Sequence, residues 1–519
     1  MNETTTNPNP GTGLLVIGID SGDRHLIRQW TGAGLLSNFS RLFATAAWGD
    51  SGNPTGMVAG TVWPTFYMGI LPGRTGRFRG TTQFVAGTYR HADIDRERFA
   101  FPTFWNVLSR AGRKSTIIDA PYAFLSTEPN VTQLVDWCSH SAWKDGATIS
   151  SPPELAATVK AQFGRDPVGK CDFAPLTNAA EFRHFRDGLI ERISRKTDFT
   201  LQQIAMRKTD LLMNVYSECH CAGHQLWHVH DPSHPLHDPA LLQELGGDPV
   251  LAVYQAMDTA LGRLLDGVDP QTRVMVFCSH GIGPGYTGTH LLDEMLLRIE
   301  GLKSPRRRQS LAQSMVASWT RMPQAVRTRL TPLQKRLWPG LKAGLVQPGK
   351  GRRQFFEIII NDASGGVRLN VRGREPEGIV DPGVQYDEIC SMLTRELLAV
   401  RNPQTGQPLV ARVLKTRDLY GGEHVNRLPD LMVIWNRAGP IGTAESDRIG
   451  LISRKFVFRN HRTGDHTEDD GLFFVLGPGI EPQALEKISV ADLGPTITAM
   501  LGTEFDGVDG RPIEALIDR

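Results

Sequence analysis

Leu14-Leu-Val-Ile-Gly-Ile-Asp20 sets the reading of the chain: an uninterrupted apolar run that ends on a carboxylate. A short run of this kind is a strand buried on both faces, as in a parallel sheet. Ser115–Ala120 (STIIDA), Asp210–Glu218 (DLLMNVYSE), Arg273–His280 (RVMVFCSH) and Gly471–Leu476 (GLFFVL) repeat the pattern, and most end on or beside a residue able to do chemistry. Between them lie amphipathic stretches. Val253, Met257, Leu261 and Leu264 recur at helical spacing, and Tyr386–Val400 reads the same way. The alternation predicts an α/β fold, a central, mostly parallel sheet sandwiched by helices. In such sheets, sites gather at the carboxyl ends of the strands.

The chain has 519 residues, 40% hydrophobic and 22% charged, enough for a large buried core. No run of eighteen apolar residues is present, so no bilayer-spanning segment is expected. The N-terminal MNETTTNPNPGTG has neither the basic nor the apolar region of a cleaved secretory signal, which makes a cytoplasmic location the default expectation. The six cysteines, Cys138, Cys171, Cys219, Cys221, Cys278 and Cys390, are too few for a disulfide scaffold. Cys219 and Cys221 bracket His220, and Cys278 lies two residues before His280. They could touch a metal, but small buried thiols are the usual case.

Charge is unevenly spread. Residues 301–353 hold thirteen Lys and Arg with no Asp or Glu, while over the rest of the chain acidic residues outnumber basic ones by eleven. The expected organisation is a flexible tail over 1–12, a catalytic core over 13–290 and 355–519, and an inserted basic helical cap over 291–354. Such a cap could attract an anionic substrate through Arg306, Arg307 and Arg308, or make weak contact with a polyanion or a membrane surface. It could equally be a solvated basic face.

The densest chemical signal is Glu218-Cys-His-Cys-Ala-Gly-His224, followed by His228, His230, His234 and His237. His220 and His224 are four residues apart, which places both imidazoles on one side of a helical turn, a spacing that can share one borderline metal ion. His230, His234 and His237, beside Pro and Asp, read as structural loop residues, and His228 fits either role. Asp20, His280 in Ser279-His-Gly281 and His466 in Gly464-Asp-His-Thr467 each end a strand or lie beside one. Four separated stretches thus offer metal-capable residues at strand ends. Thr61 and Thr65 begin a probable short helix in Gly60-Thr-Val-Trp-Pro-Thr-Phe. A hydroxyl there is either an N-cap or a nucleophile, since unpaired N–H groups at a helix start favour an anion.

These residues resemble the type I phosphodiesterase and nucleotide pyrophosphatase branch of the alkaline phosphatase superfamily. The likeness runs through Val16-Ile-Gly-Ile-Asp20, Trp63-Pro-Thr-Phe, Gly69-Ile-Leu-Pro-Gly-Arg-Thr-Gly76, Gly223-His224, Ser279-His-Gly281, Arg368-Leu-Asn-Val-Arg-Gly-Arg-Glu375, Gly464-Asp-His466 and Gly510-Arg-Pro512. The resemblance implies an alkaline-phosphatase-like core and two zinc-like ions flanking a threonine or serine nucleophile. It assigns His224 and His466 to the first ion and Asp20 and His280 to the second. Two positions depart from the family pattern: His220 and Ser279 stand where Asp is usual. His220 would make the first site a three-histidine one, and Ser279 is a possible ligand of the second. A gapless alignment puts the nucleophile at Ala59, which cannot serve; a two-residue deletion brings in Thr61, with Thr65 the alternative.

The expected function is metal-dependent hydrolysis of a small anionic phosphate ester, a phosphodiester, nucleotide pyrophosphate or phosphomonoester. Its cofactor would be one or two divalent ions, zinc before manganese or iron. Two other readings stay open. A one-metal, three-histidine enzyme could act on another ester such as a carbamoyl or phosphonate compound, or a degenerate site could leave a polyanion- or membrane-binding module.

Overall fold

A computed structural model of the chain describes residues 13–94, 101–140, 147–169, 171, 176–302, 350–361, 363–456, 458 and 461–517. Its centre is a ten-stranded sheet in the order Gln483–Ala484, Ala47–Gly52, Gly471–Leu476, Arg273–Cys278, Leu14–Ile19, Leu211–Tyr216, Ser115–Ile118, Val131–Val135, Ile149–Ser151, with Ile488–Ser489 also pairing to Ala47–Gly52. The five strands from Arg273–Cys278 to Val131–Val135 are parallel neighbours. Gly471–Leu476, which shares their apolar pattern, runs antiparallel to both of its neighbours. The chain therefore enters that strand at the edge where the parallel strands end, and residues just before it join the site.

Alternation along Leu14–Ile19 shows why the run is wholly apolar. Leu15, Ile17 and Ile19 enter one buried cluster and Leu14 and Val16 another, on the opposite face. Helices cover both sides: Pro249–Gly267 packs on Ala179–Met206 and on Glu218–His230, and Val490–Met500 packs on Val58–Met68. Among the described residues no helix is long and apolar enough to cross a membrane.

A second, four-stranded antiparallel sheet, ordered Phe355–Ile358, Ser364–Leu369, Leu431–Trp435, Val410–Lys415, has a hydrophobic cluster of its own. The helix Thr289–Ile299 contributes Leu291, Leu292, Met295, Leu296 and Ile299 to that cluster. The Arg368–Glu375 motif serves this sheet. Arg368 Nε donates to Glu375 at 2.6 Å, while Arg374 and Tyr386 donate to the buried Asp430. Residues 303–349, which include Arg306, Arg307 and Arg308, lie outside the described residues, as do residues 1–12.

Four non-glycine residues with left-handed backbone, Ser21, Asp119, Tyr122 and Asp136, lie at or just past the carboxyl ends of parallel strands. Local strain of this kind collects where side chains must be aimed against backbone preference. Beneath the same edge, Lys196 is fully buried. Its Nζ donates to the carbonyls of Val215 and Cys138 and stands 3.3 Å from Asp119 and 3.9 Å from Glu218. Burial pushes the Glu218 carboxyl up to about 7, against the pull of Lys196 and Arg192. Lys196→Met removes the cation from two buried carboxyl groups, and loss of one partner in such an arrangement costs about 3–5 kcal/mol. The variant is expected to unfold at a clearly lower urea concentration; an unchanged midpoint would show that the cluster does not support the sheet edge.

Candidate metal centre

The helix Glu218–His230 begins right after the central strand Leu211–Tyr216, so its first turns face the carboxyl edge of the sheet. His220 and His224 project from it toward an antiparallel strand pair, Ile282–Pro284 with Gly464–His466. Two glycines allow the approach. A Cβ on Gly464 would stand 2.2 Å from the Gly223 carbonyl oxygen, and a Cβ on Gly223 would stand 2.4 Å from Ile282 Cδ1. Thr463 N donates to the His224 carbonyl at 2.8 Å and fastens the strand pair to the helix. His466 is thereby brought onto the helix face.

Three imidazoles meet there. His224 Nε2 lies 3.2 Å from His220 Nε2 and 3.2 Å from His466 Nε2. Its Nδ1 stands 2.8 Å from the Gly464 carbonyl, which can only accept, so Nδ1 carries the proton and Nε2 the lone pair. Ligand nitrogens about 2.0–2.1 Å from a tetrahedral zinc ion lie about 3.3 Å from each other, so this spacing fits a shared ion. Burial, the Arg462 charge and the neighbouring imidazoles hold His224 well below the usual histidine range. His466 is held well below it too, by burial and then by His280, His220, Arg462 and His140. Both rings are therefore neutral, the form in which an imidazole binds metal. Arg437 donates to the backbone carbonyls of His466, Pro284 and Asp465 and braces the loop.

The second group lies alongside, at the ends of the Leu14–Ile19 and Arg273–Cys278 strands. His280 and His466 ring centroids are 4.6 Å apart. His280 Nδ1 stands 3.2 Å from both the Gly281 carbonyl and the Ser21 hydroxyl, and its Nε2 lies 3.5 Å from Asp20 Oδ1. An imidazole nitrogen and a carboxylate oxygen facing each other are donor types that suit a divalent cation. Trp63 Nε1 donates to Asp20 Oδ1 at 2.7 Å, and Ser279 Oγ donates to the same atom at 3.0 Å. Ser279 Oγ also accepts from Ser21 N, so it orients the carboxylate. Burial alone would raise the Asp20 carboxyl; His220, His280, Trp63 and Ser279 outweigh it and hold it below the ordinary value.

Asp20, Thr61, His220, His280 and His466 line one narrow pocket with Val58, Gly60, Val62, Trp63 and Tyr122. Thr61 lies in the first turns of the helix Val58–Met68, whose N-cap Met57 makes no side-chain capping bond. Its hydroxyl donates to the Met57 carbonyl at 2.6 Å. Thr65, one turn further on, is buried but is not among the lining residues. The other histidines are held structurally: His228 Nδ1 pairs with Thr463 Oγ1 at 3.0 Å, His230 with Asp248 at 2.6 Å, His237 with the His228 carbonyl at 3.0 Å, and His234 stacks on Tyr286.

Sequence reasoning passed over Tyr122 and Arg462. Tyr122 follows the STIIDA strand by two residues, and the strand-end rule applied to Asp20 would have found it. Burial, with the Asp20 charge, pushes its phenol up to about 12, so it stays a hydrogen-bond donor in the pocket. Arg462 sits two residues before Gly464, and its charge reaches His220, His224, His466 and Tyr122.

Comparison with solved structures gives the same architecture. Phosphonoacetate hydrolase from Sinorhizobium meliloti 1021, in complex with phosphonoformate, superposes with a TM-score of 0.51 at 13% identity, over 94% of this chain and 95% of that one. A variant of the alkaline phosphatase PafA superposes with a TM-score of 0.51 at 13% identity, over 99% and 100% of the two chains. No curated protein is matched by the sequence. The family described as type I phosphodiesterase / nucleotide pyrophosphatase matches residues 14–461, most of the chain. The protein belongs to the type I phosphodiesterase / nucleotide pyrophosphatase family.

Proposed function

We propose that the protein hydrolyses a small anionic phosphate ester, a phosphodiester, nucleotide pyrophosphate or phosphomonoester, with Thr61 as nucleophile. His220, His224 and His466 would hold one divalent ion of the zinc type, and Asp20 and His280 a second. The observation that carries this reading is the convergence of three imidazole nitrogens 3.2 Å from one to the next, two of whose rings, His220 and His466, line the pocket that also holds Asp20, His280 and Thr61. Divalent ions bound there supply Lewis acidity, making the threonine oxygen a better nucleophile and offsetting charge on the phosphoryl group.

The chain's own residues do the rest by position. The Met57 carbonyl holds the Thr61 hydroxyl at a fixed angle at the pocket wall. The uncapped start of the helix Val58–Met68 turns backbone N–H groups toward an arriving phosphoryl oxygen. Tyr122 remains protonated and donates to a second oxygen, while Arg462 adds positive charge beside the histidines. Thr61 Oγ, its proton passing to solvent, bonds to phosphorus as the bond to the ester oxygen breaks on the opposite side and that oxygen takes up a proton; water then cleaves the phosphothreonine, restoring the Thr61 hydroxyl and releasing the phosphate product. Positioning and charge stabilisation dominate such reactions. The basic stretch 301–353, with Arg306, Arg307 and Arg308, would draw the anionic substrate from a distance.

A second reading follows from the unequal completeness of the two groups. The three-histidine cluster has its ligands in place, whereas beside Asp20 the Ser279 hydroxyl is already turned to the carboxylate. A one-ion enzyme acting on another ester, such as a carbamoyl or phosphonate compound, would use the histidine cluster alone.

Thr61→Ala distinguishes the two. Nitrophenyl phosphate mono- and diester turnover should fall by about a thousandfold or more, while Thr65→Ala stays near wild type; full activity in Thr61→Ala would remove the nucleophile from the proposal. Dialysis against a strong chelator should abolish turnover and zinc should restore it, with His224→Ala lowering the metal content found by elemental analysis. Gly464→Ala keeps every ligand but drives a methyl group into the Gly223 carbonyl, so zinc affinity should drop at least tenfold. Wild-type affinity in that variant would mean that the close approach of the helix and the strand pair does not set the ligand spacing.

A further inference from the structure

On the far side of His220 is a second set of donors that phosphoester cleavage does not use. Cys221 follows His220 on the helix and is fully buried. His140 lies beyond the end of the Val131–Val135 strand, and Cys171 precedes the helix Ala179–Met206, so the donors come from three separate parts of the chain. His140 Nδ1 stands 2.8 Å from Cys171 Sγ, and Cys171 also contacts Cys221. Donor atoms of His140, His220 and Cys221 all lie within 4.8 Å of one another. The His140 and His220 ring centroids are 4.7 Å apart.

His220 ties the two clusters together. Its Nε2 faces His224, its Nδ1 is buried with no nitrogen or oxygen partner, and the ring also contacts the Cys221 thiol. A ring nitrogen without a strong partner in a dry interior is costly. Positive charge is also at hand to favour thiolate: Arg192, itself fully buried, places Nη1 3.9 Å from Cys221 Sγ.

We infer that His140, Cys171, Cys221 and His220 Nδ1 form a separate, thiolate-rich site for one zinc-type divalent ion. Two sulfurs and two imidazoles, drawn from distant segments and largely shut off from water, form the donor set of closed structural zinc sites. Both thiols lose their protons when the ion binds. The site would pin the Cys171 turn and His140 to the helix Glu218–His230 and fix the ring plane of His220 from behind. It stands whatever the nucleophile or substrate of the neighbouring pocket.

Cobalt(II) tests it in the full-length protein, stripped of metal under reducing conditions and reconstituted with cobalt alone. Wild type should show a thiolate-to-cobalt charge-transfer band in the near ultraviolet. Cys171→Ser and Cys221→Ser should each lose most of that band and about one bound cobalt per chain by native mass spectrometry. His224→Ala should keep the band. Cys171 lies away from the catalytic helix, so Cys171→Ser keeps the test open should Cys221→Ser fail to fold. Cobalt bound without any sulfur band would overturn this site and leave the catalytic assignment standing. A sulfur band in protein that never turns over phosphate esters would do the reverse. A Cys171–Cys221 disulfide in protein purified without reductant, persisting with zinc supplied, would also overturn the site.

Discussion

Imidazole nitrogens and a carboxylate crowded together away from water are the constraint on which this molecule turns. His224 and His466 are buried where a proton is disfavoured, and their Nε2 atoms nonetheless stand within hydrogen-bond distance. His280 Nε2 and Asp20 Oδ1 face each other in the same way. Polar atoms crowded together in a dry interior are costly unless a proton or another positive charge lies between them. Helix, paired strands and strand ends must therefore be held together against that cost, and the surrounding architecture does so. The parallel strands deliver Asp20 and His280, the Gly223–Gly464 contact removes the atoms that would hold the helix and the strand pair apart, and Arg437 grips three carbonyls of that pair.

The same principle accounts for the layer underneath. Lys196, Asp119, Glu218 and Arg192 are ionisable groups at the sheet edge, and none of the four has any exposed side-chain surface. Groups of this kind are seldom worth their desolvation as stabilisers alone. Their value here is positional, because each is fixed to a backbone carbonyl, a strand end or the first residue of the histidine helix. The left-handed conformations of Ser21, Asp119, Tyr122 and Asp136 point the same way. Backbone preference gives way at the rim where side chains must be aimed.

Much of this could be read from residue order. The apolar runs ending on Asp20 and His280 are strands of the central sheet, and the four-residue spacing of His220 and His224 does put both rings on one helix face. Those signals are local, carried by strand periodicity and helical pitch. What escaped the sequence was not local. Gly471–Leu476 has the composition of its parallel neighbours but the opposite direction, because burial on both faces selects residue type and not polarity. The four-stranded antiparallel sheet was hidden for a related reason: its strands are closed by pairing between residues far apart, such as Val367 with Leu431. Arg368 and Glu375 carried the family pattern yet serve that sheet and not the pocket. Arg462 and His140 reach the site through tertiary contact, and nothing in their immediate surroundings sets them apart.

The antiparallel strand has a consequence for how the chain is made. Gly471–Leu476 lies between Ala47–Gly52 and Arg273–Cys278, strands that leave the ribosome long before it does. Until the last tenth of the polypeptide emerges, both of those strands present open backbone to the cell, and His466 has not yet joined its partners. Open edges of apolar strands are templates for wrong pairing, and contacts across so much sequence form slowly. The nascent protein must therefore wait with a slot in its middle, and the same late insertion that seals the sheet also delivers the final imidazole.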